Sequence, residues 1–354
     1  MTRLTASLSP PFFLEGARIV GKKMASLALF LGAFLIALAA LSKFYMYDRL
    51  AVAPANTESV STSQTASGSD GEYLDVSKLE VATAPLRSVR TVAGDVEASE
   101  KASKELGKDV DVWRTYVCTD TTSFDCSSGK TPLSGTQDVV AFDAHTGETV
   151  DWSGASSTTG GQQQSGGFEG LYFKFPFGAE KKTYKFWDGT LREATDAEFV
   201  KETSLKGMKA YEYRQTIEPT KTGTIDVPGT LVGSDEGTVT ADRMYSTVRT
   251  FVVDPVTGVI LKGGEQQDSY LAVDGERKLT TTKAALTYTD DYVQETVDEY
   301  KSKATLLTIV DTTFPVVGGV VGLVLLVLGG LGLARAGRRE DGHHVTREHA
   351  GASA

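Results

Sequence analysis

The chain has 354 residues and a formal net charge of −10, with 36 Lys and Arg against 46 Asp and Glu, so nucleic acid is excluded as a natural partner. Its 4 histidines and 2 cysteines are too few and too scattered for a zinc site, a Ser-His-Asp triad or a Cys-His pair. No spacing of carboxylates singles out an acid/base pair, and Gly160-Gly161 lacks the Lys-Ser/Thr of a phosphate loop. The expectation is a non-enzyme with no cofactor; His343-His344 is at most a weak metal contact.

After an amino-terminal segment, 1–23, comes an uncharged apolar run over 24–42, and a second such run covers 314–334 before a tail, 335–354. Each is close to the ~20 residues that cross a bilayer as a helix. Arg3, Arg18, Lys22 and Lys23 precede the first run, and Arg335, Arg338, Arg339 and Arg347 follow the second. Basic flanks stay on the cytoplasmic side, so both termini are predicted cytoplasmic and the domain 48–305 is predicted outside the cytoplasmic membrane. The Arg residues after the second run serve as topological anchors, with anionic-lipid contact as a secondary role. Phe44, Tyr45 and Tyr47 suit an interfacial aromatic belt, and Ala37-Leu38-Ala39 leaves a cleaved signal peptide as the alternative.

Within 48–305, 27 basic residues face 41 acidic ones, a formal charge of −14. The composition is mainly β: runs such as 88–92, 110–117, 139–142, 210–217 and 248–253 are rich in β-branched and aromatic residues and are separated by Gly, Asp and Thr-Gly turns. Stretches 57–71 and 153–167, rich in Ser, Thr and Gly, read as linkers or long loops. Cys118 and Cys126 flank a polar turn and suit a disulfide in an oxidising exterior. Asp143-Ala-His-Thr-Gly147 and Asp254-Pro-Val-Thr-Gly258 share Asp-x-x-Thr-Gly between extended arms and predict two hairpins, with internal duplication as one explanation. Tyr292, Val293, Val297, Tyr300 and Ala304 predict a helix, interrupted at 311–315 before the second membrane run. Gly318 with Gly322, and Ala33 with Ala37, offer small-residue faces on which the spans could pack, though glycine is common in membrane helices anyway.

The richest stretch is 168–188. Leu171, Phe173, Phe175 and Phe177 alternate with Tyr172, Lys174 and Pro176, which predicts a strand with one strongly apolar face. That face, with Tyr184 and Trp187, is either the main core or the lining of an apolar cavity for acyl chains. Lys181, Lys182 and Lys185 are then either headgroup contacts or ordinary surface charges.

Several motifs in this order carry a resemblance: Arg90-Thr-Val-Ala-Gly-Asp95, Val112-Trp113, Glu169-Gly-Leu-Tyr-Phe-Lys-Phe-Pro-Phe, Tyr184-Lys-Phe-Trp-Asp, and Tyr245 through Gly258. Over most of 24–334 the chain resembles an actinobacterial family of two-span membrane proteins that bears the label porin PorA family. The resemblance implies a cell-envelope protein; relatives in mycolate-bearing actinobacteria are linked to lipoglycan maturation, and they place extended chain near Thr57. The long amino-terminal flank and the Cys118/Cys126 pair do not carry over. The topology is also similar to that of CD36-type receptors, as an architectural analogy alone.

The expected fold is therefore a membrane-anchored, mainly β (α+β) domain between two transmembrane helices, with a barrel-like form enclosing an apolar cavity as its fullest version. The leading functional expectation is binding or transfer of a membrane lipid or lipoglycan precursor, with envelope-biosynthesis proteins as partners. The alternatives are an oligomeric channel and a structural scaffold. Against the channel stands the absence of any polar stripe on either apolar run.

Overall fold

The computed structural model describes residues 12–348, and the side chains of 22–335. Arg3 and His349 lie outside the described residues, as do the side chains of Arg18, Arg338, Arg339, Arg347, His343 and His344. The chain divides into two compact units, one made of both terminal regions (1–50 and 306–354) and one of 51–305.

In the terminal unit, α1 (Phe12–Leu41) passes through a single π turn (Ser42–Met46) into the short α2 (Tyr47–Leu50). A second π turn (Ile309–Thr313) leads into α5 (Phe314–Glu348). Both helices are long and apolar enough to cross a membrane. They lie antiparallel and close: a Cβ built on Gly322 would meet the Gly32 carbonyl at 2.8 Å, and one on Gly329 would meet the Ala25 carbonyl at 2.7 Å. The buried face of α1 is thus Ala25, Gly32 and Ala39, seven residues apart, while Ala33 and Ala37 point outward. Heptad spacing won over the four-residue pattern because it keeps one seam against the partner along the whole contact. On α5, Gly318 and Gly322 are both buried. At one end of the seam Ser42 Oγ donates to the Val310 carbonyl at 2.8 Å and Lys43 pairs with Asp311 at 2.6 Å. The predicted interruption at 311–315 is instead that π turn. Pro315 removes one backbone donor, and a locally widened helix accommodates the loss.

The middle unit is a 14-stranded antiparallel sheet with two helices. Its elements are β1 (Glu58–Thr65), β2 (Gly71–Asp75), β3 (Glu80–Ala84), β4 (Leu86–Gly94), α3 (Val96–Leu106), β5 (Val110–Thr121), β6 (Ser134–Asp143), β7 (Ser156–Thr159) and β8 (Gln162–Ser165). Then come β9 (Tyr184–Asp188), β10 (Glu193–Leu205), β11 (Met208–Pro228), β12 (Thr238–Val253), β13 (Ile260–Val273), β14 (Glu276–Tyr288) and α4 (Asp290–Thr308). The strand order is β8-β7-β6-β5-β4-β1-β14-β13-β12-β11-β10-β9, with the β2–β3 hairpin attached beside β14. Two stretches read as linker or loop are strand: β1 occupies most of 57–71, and β7 with β8 most of 153–167. Their hydroxyls and amides are polar, but extended chain pairs through its backbone whatever its side chains.

The ladder does not close, so the barrel-like form is unconfirmed. Single bridges span the gap between β6 and β9, from Phe142 to Thr149, Glu148 to Leu171 and Leu171 to Phe186. One face of each arm is covered by a helix. Ala102 of α3 packs with Val110, Val112 and Ala141, and Val297 and Ala304 of α4 pack with Met208, Ala210 and Leu261. Helix α3 escaped the sequence reading although its signals are present: the Asp95 carboxylate caps it by accepting from the Ala98 amide at 3.0 Å, and Gly107 ends it in the left-handed conformation at φ 67°. The Cys118–Cys126 disulfide forms, joining β5 to the loop that follows it.

The opposite face carries a buried polar network. Asp188, fully buried, accepts from the Thr190 and Leu191 amides at 2.9 and 2.8 Å and from the Tyr245 hydroxyl at 2.9 Å, and pairs with Arg249 at 2.7 Å. Arg249 also donates to Glu265 at 2.9 Å, while Gln215 donates to the Phe186 carbonyl at 2.8 Å and to Thr195 at 2.7 Å. Five strands, β9 to β13, are thereby tied across one face. Arg249→Ala leaves the Asp188 carboxylate buried without its countercharge, and urea unfolding of the protein should show a loss of about 3–5 kcal/mol; a loss under 1 kcal/mol would assign the curl of this arm to backbone pairing alone.

Candidate functional site

The sequence-predicted strand at 171–177 does not exist. Only Leu171 enters the sheet, through its bridges. Leu171, Tyr172, Lys174 and Phe175 are all buried, so the two-residue alternation fails: neighbouring residues of both parities point inward. Pro176, without an amide proton, also interrupts any ladder at this point.

The segment crosses the face opposite the helices and touches both arms of the sheet. The Phe173 ring lies 5.0 Å from Trp113 of β5 and 5.5 Å from Phe142 of β6. Two residues on, the Phe175 ring stacks on Tyr213 of β11 at 4.4 Å and meets Phe251 of β12 at 5.8 Å. Tyr184, on β9, packs edge-on against Phe175, while Trp187 packs with Val140, Tyr172 and Phe168. Among the described residues two open grooves of about 500 and 580 Å³ lie elsewhere, lined largely by charged and hydroxyl side chains. The aromatic rings are therefore engaged with one another. Lys181 pairs with Glu202, Lys182 with Glu180 at 2.6 Å and Lys185 with Asp196 at 2.8 Å.

Two hairpins of identical pattern grip this segment. In each, the Asp carbonyl accepts from the Gly amide, at 2.9 Å for Asp143–Gly147 and 2.8 Å for Asp254–Gly258. The Asp carboxylates accept from the amides that follow, Thr146 at 3.0 Å and Thr257 at 3.0 Å. Both glycines have φ of 75°. Each also stands against the aromatic segment: a Cβ on Gly147 would meet the Lys174 carbonyl at 3.2 Å, and one on Gly258 would meet the Phe175 carbonyl at 2.0 Å. The Phe175 amide donates to the Gly258 carbonyl at 2.8 Å. Glycine at the second position is thus required twice over, for its backbone conformation and for close approach.

The grip encloses two ionisable groups that the sequence reading did not select. Lys174 is 9% exposed; its Nζ lies 3.7 Å from the Phe177 ring centroid and has no hydrogen-bond partner. Asp111, at the start of β5, is 5% exposed, and its Oδ2 also lacks a partner. Burial, together with the neighbouring Asp109, pushes the Asp111 carboxyl up to about 7, while burial pulls the Lys174 ammonium down to about 7. The available sequence signals were a lysine inside an aromatic run and an aspartate inside Val-Asp-Val-Trp, two positions where apolar neighbours on both sides foretell burial. Nearby, the Arg90 guanidinium lies 5.2 Å from the centre of the Tyr172 ring, and Tyr172 donates to the buried Asp138.

Along the strands beyond the aromatic segment, this face is polar. Cross-strand register sets Ser61 beside Arg90, Gln215 beside Arg249, Arg249 beside Glu265 and Thr247 beside Gln267. The other face of β9 to β11 carries ion pairs such as Lys201–Glu212 at 3.3 Å and Lys185–Asp196 at 2.8 Å, so these strands present no apolar band of the kind that faces lipid in a membrane barrel.

The Asp111–Lys174 pair dictates a pH signature. Below pH ~7 the folded state holds a proton on Asp111 that an unfolded carboxylate gives up above ~4; above ~7 it lacks a proton on Lys174 that an unfolded amine keeps to ~10. The contribution of the pair to stability therefore falls as pH rises to about 7 and recovers at higher pH. Replacing both groups, with Asp111→Asn and Lys174→Met, should raise the melting temperature at pH 7 by about 2–10 °C and remove the dip. Calorimetry across pH 5–9 reads both effects; a lower melting temperature at pH 7 would make the pair a net stabiliser instead.

A protein-family model described as Porin PorA matches residues 24–331. A relative named Porin PorA from Corynebacterium amycolatum is 30% identical over 205 residues, which is 45% of this chain and 53% of that one. Another of the same name, from Corynebacterium resistens, is 22% identical over 262 residues, covering 55% of this chain and 63% of its own length. The chain thus spans only about half to three-fifths of the curated relatives it matches. Because the family model covers both apolar helices and the whole sheet between them, the chain belongs to the porin PorA family.

Proposed function

We propose that this chain is a non-enzymatic, porin-type component of the cell envelope, in which the polar face of the middle unit provides a path for small hydrophilic solutes. The observation that carries this reading is the character of that face: charged, amide and hydroxyl side chains where a lipid carrier needs an apolar lining. The relatives' shared name points the same way. Lipid or lipoglycan transfer draws no comparable support, since the rings it needs pack against one another.

On this reading the helix pair supplies attachment. Exposed Phe30, Val320 and Leu328 suit contact with lipid, and the tight Gly32–Gly322 seam leaves no room for water between the two helices. Conduction then depends on several chains assembling, with the middle units outside the cytoplasmic membrane and both termini inside.

Purified full-length protein reconstituted in a planar bilayer should give discrete conductance steps. Ser63→Trp, whose register beside Ser88 puts it on the polar face, should lower the step size several-fold, whereas Thr83→Trp on the exposed β3 should leave it unchanged. Absence of steps at any protein density, together with stoichiometric co-purified lipid, would overturn the reading in favour of lipid transfer.

A further inference from the structure

Residues 172–178 are seated unlike any strand beneath them. Backbone hydrogen bonds tie them to the second hairpin, from the Phe175 amide to Gly258 at 2.8 Å and from the Gly178 amide to Val256 at 3.1 Å. What else holds them is the Tyr172 hydroxyl bound to Asp138, side-chain packing and the steric grip of Gly147 and Gly258. Against that packing stand the two buried ionisable groups without full partners, Lys174 on the segment itself and Asp111 on β5. A buried unpaired charge is costly, and moving this segment outward would return both groups to water.

The charged groups of the two hairpins around the pair are satisfied by other partners. Asp143 of the first hairpin is bound by its own turn amides and by Lys108 at 3.5 Å, and Asp254 of the second by Thr257 at 2.6 Å. His145 is placed between two acceptors, the Ala51 carbonyl at 3.1 Å and Asp109 at 3.3 Å. None of these groups offers Lys174 Nζ a hydrogen bond.

We propose that residues 172–178 are a displaceable plug over one end of the polar path, clamped by the twin Asp-x-x-Thr-Gly hairpins and loaded toward release by buried Lys174 and Asp111. This rests on the porin-type reading for its consequence, an open path, but the motion itself does not require it. The seated plug binds an extra proton at Asp111 below neutral pH and lacks one at Lys174 above it, whereas the displaced plug does neither. Release is accordingly easiest near pH 7 and harder toward pH 5 and toward pH 9.

Hydrogen–deuterium exchange of the full-length protein in lipid nanodiscs, corrected for the intrinsic pH dependence of exchange, reads the motion directly at the Phe175 and Gly178 amides. Protection should be lowest near pH 7 and rise several-fold at pH 5.5 and 8.5. Asp111→Asn with Lys174→Met should raise protection about tenfold at pH 7 and flatten the profile, while Gly258→Ala, whose new methyl would strike the Phe175 carbonyl, should lower it at every pH. Protection that changes monotonically with pH in the unaltered protein overturns the proposal, whatever the variants do. Bilayer conductance measured in parallel separates the two readings: exchange as expected with no conductance sinks the porin reading and leaves the plug, while conductance that fails to follow exchange sinks the plug and leaves the porin.

Discussion

The contact between Asp188 and Arg249 sets the shape of the middle unit's second arm. A sheet whose strands reach 21 residues, as β11 does, gains nothing from its own ladder that would fix its curl. A carboxylate on β9 bound to a guanidinium on β12, three strands away, brings the sheet edge toward its centre. Complete satisfaction makes so buried a charge tolerable: four donors meet the two oxygens of Asp188, and Arg249 reaches Glu265 and Tyr245 with its remaining protons. Since this network does not involve residues 172–178, the arm can keep its curvature with or without the aromatic segment in place.

Two different kinds of burial therefore coexist on one face. The Asp188 network is a polar cluster with its hydrogen bonds made, the condition under which such clusters specify a single arrangement. The Asp111–Lys174 pair is the opposite case, with an unpartnered oxygen and an unpartnered ammonium a short distance from well-packed rings. A core built for stability alone would place apolar side chains at both positions. Their presence at the place where two hairpins grip an irregular segment costs stability that apolar residues there would keep.

Much of the architecture was legible in residue order, and the failures have specific causes. The apolar runs, the disulfide and both hairpins could be read because each depends on local chemistry: uncharged length, paired thiols around a turn, an Asp and a Gly at fixed offset. Strands β1, β7 and β8 were hidden because their side chains carry no apolar alternation; their place is set by neighbours far along the chain. The aromatic segment misled in the other direction. Its alternation is that of a strand, but burial of successive residues removes the meaning of alternation, and Lys174 was read as the outward residue of a pair of faces when it is buried in the site. In α1 the small residues Ala33 and Ala37 have the right spacing on the wrong side of the helix, a distinction that only the partner helix makes.

The division of labour between the two units follows from what each can hold in its interior. The helix pair is sealed by glycine-to-backbone contacts too close for a water molecule, and its other faces are apolar, so a single pair has nowhere to carry a polar solute. In the sheet the positions are reversed: both faces bear charge, one in surface ion pairs and the other in a line of amides, hydroxyls and guanidinium–carboxylate pairs. Such a sheet has no reason to enter hydrocarbon and every reason to hold water along its polar side. On the porin-type reading, a polar path on this chain is therefore a property of the middle unit, and the helix pair supplies attachment.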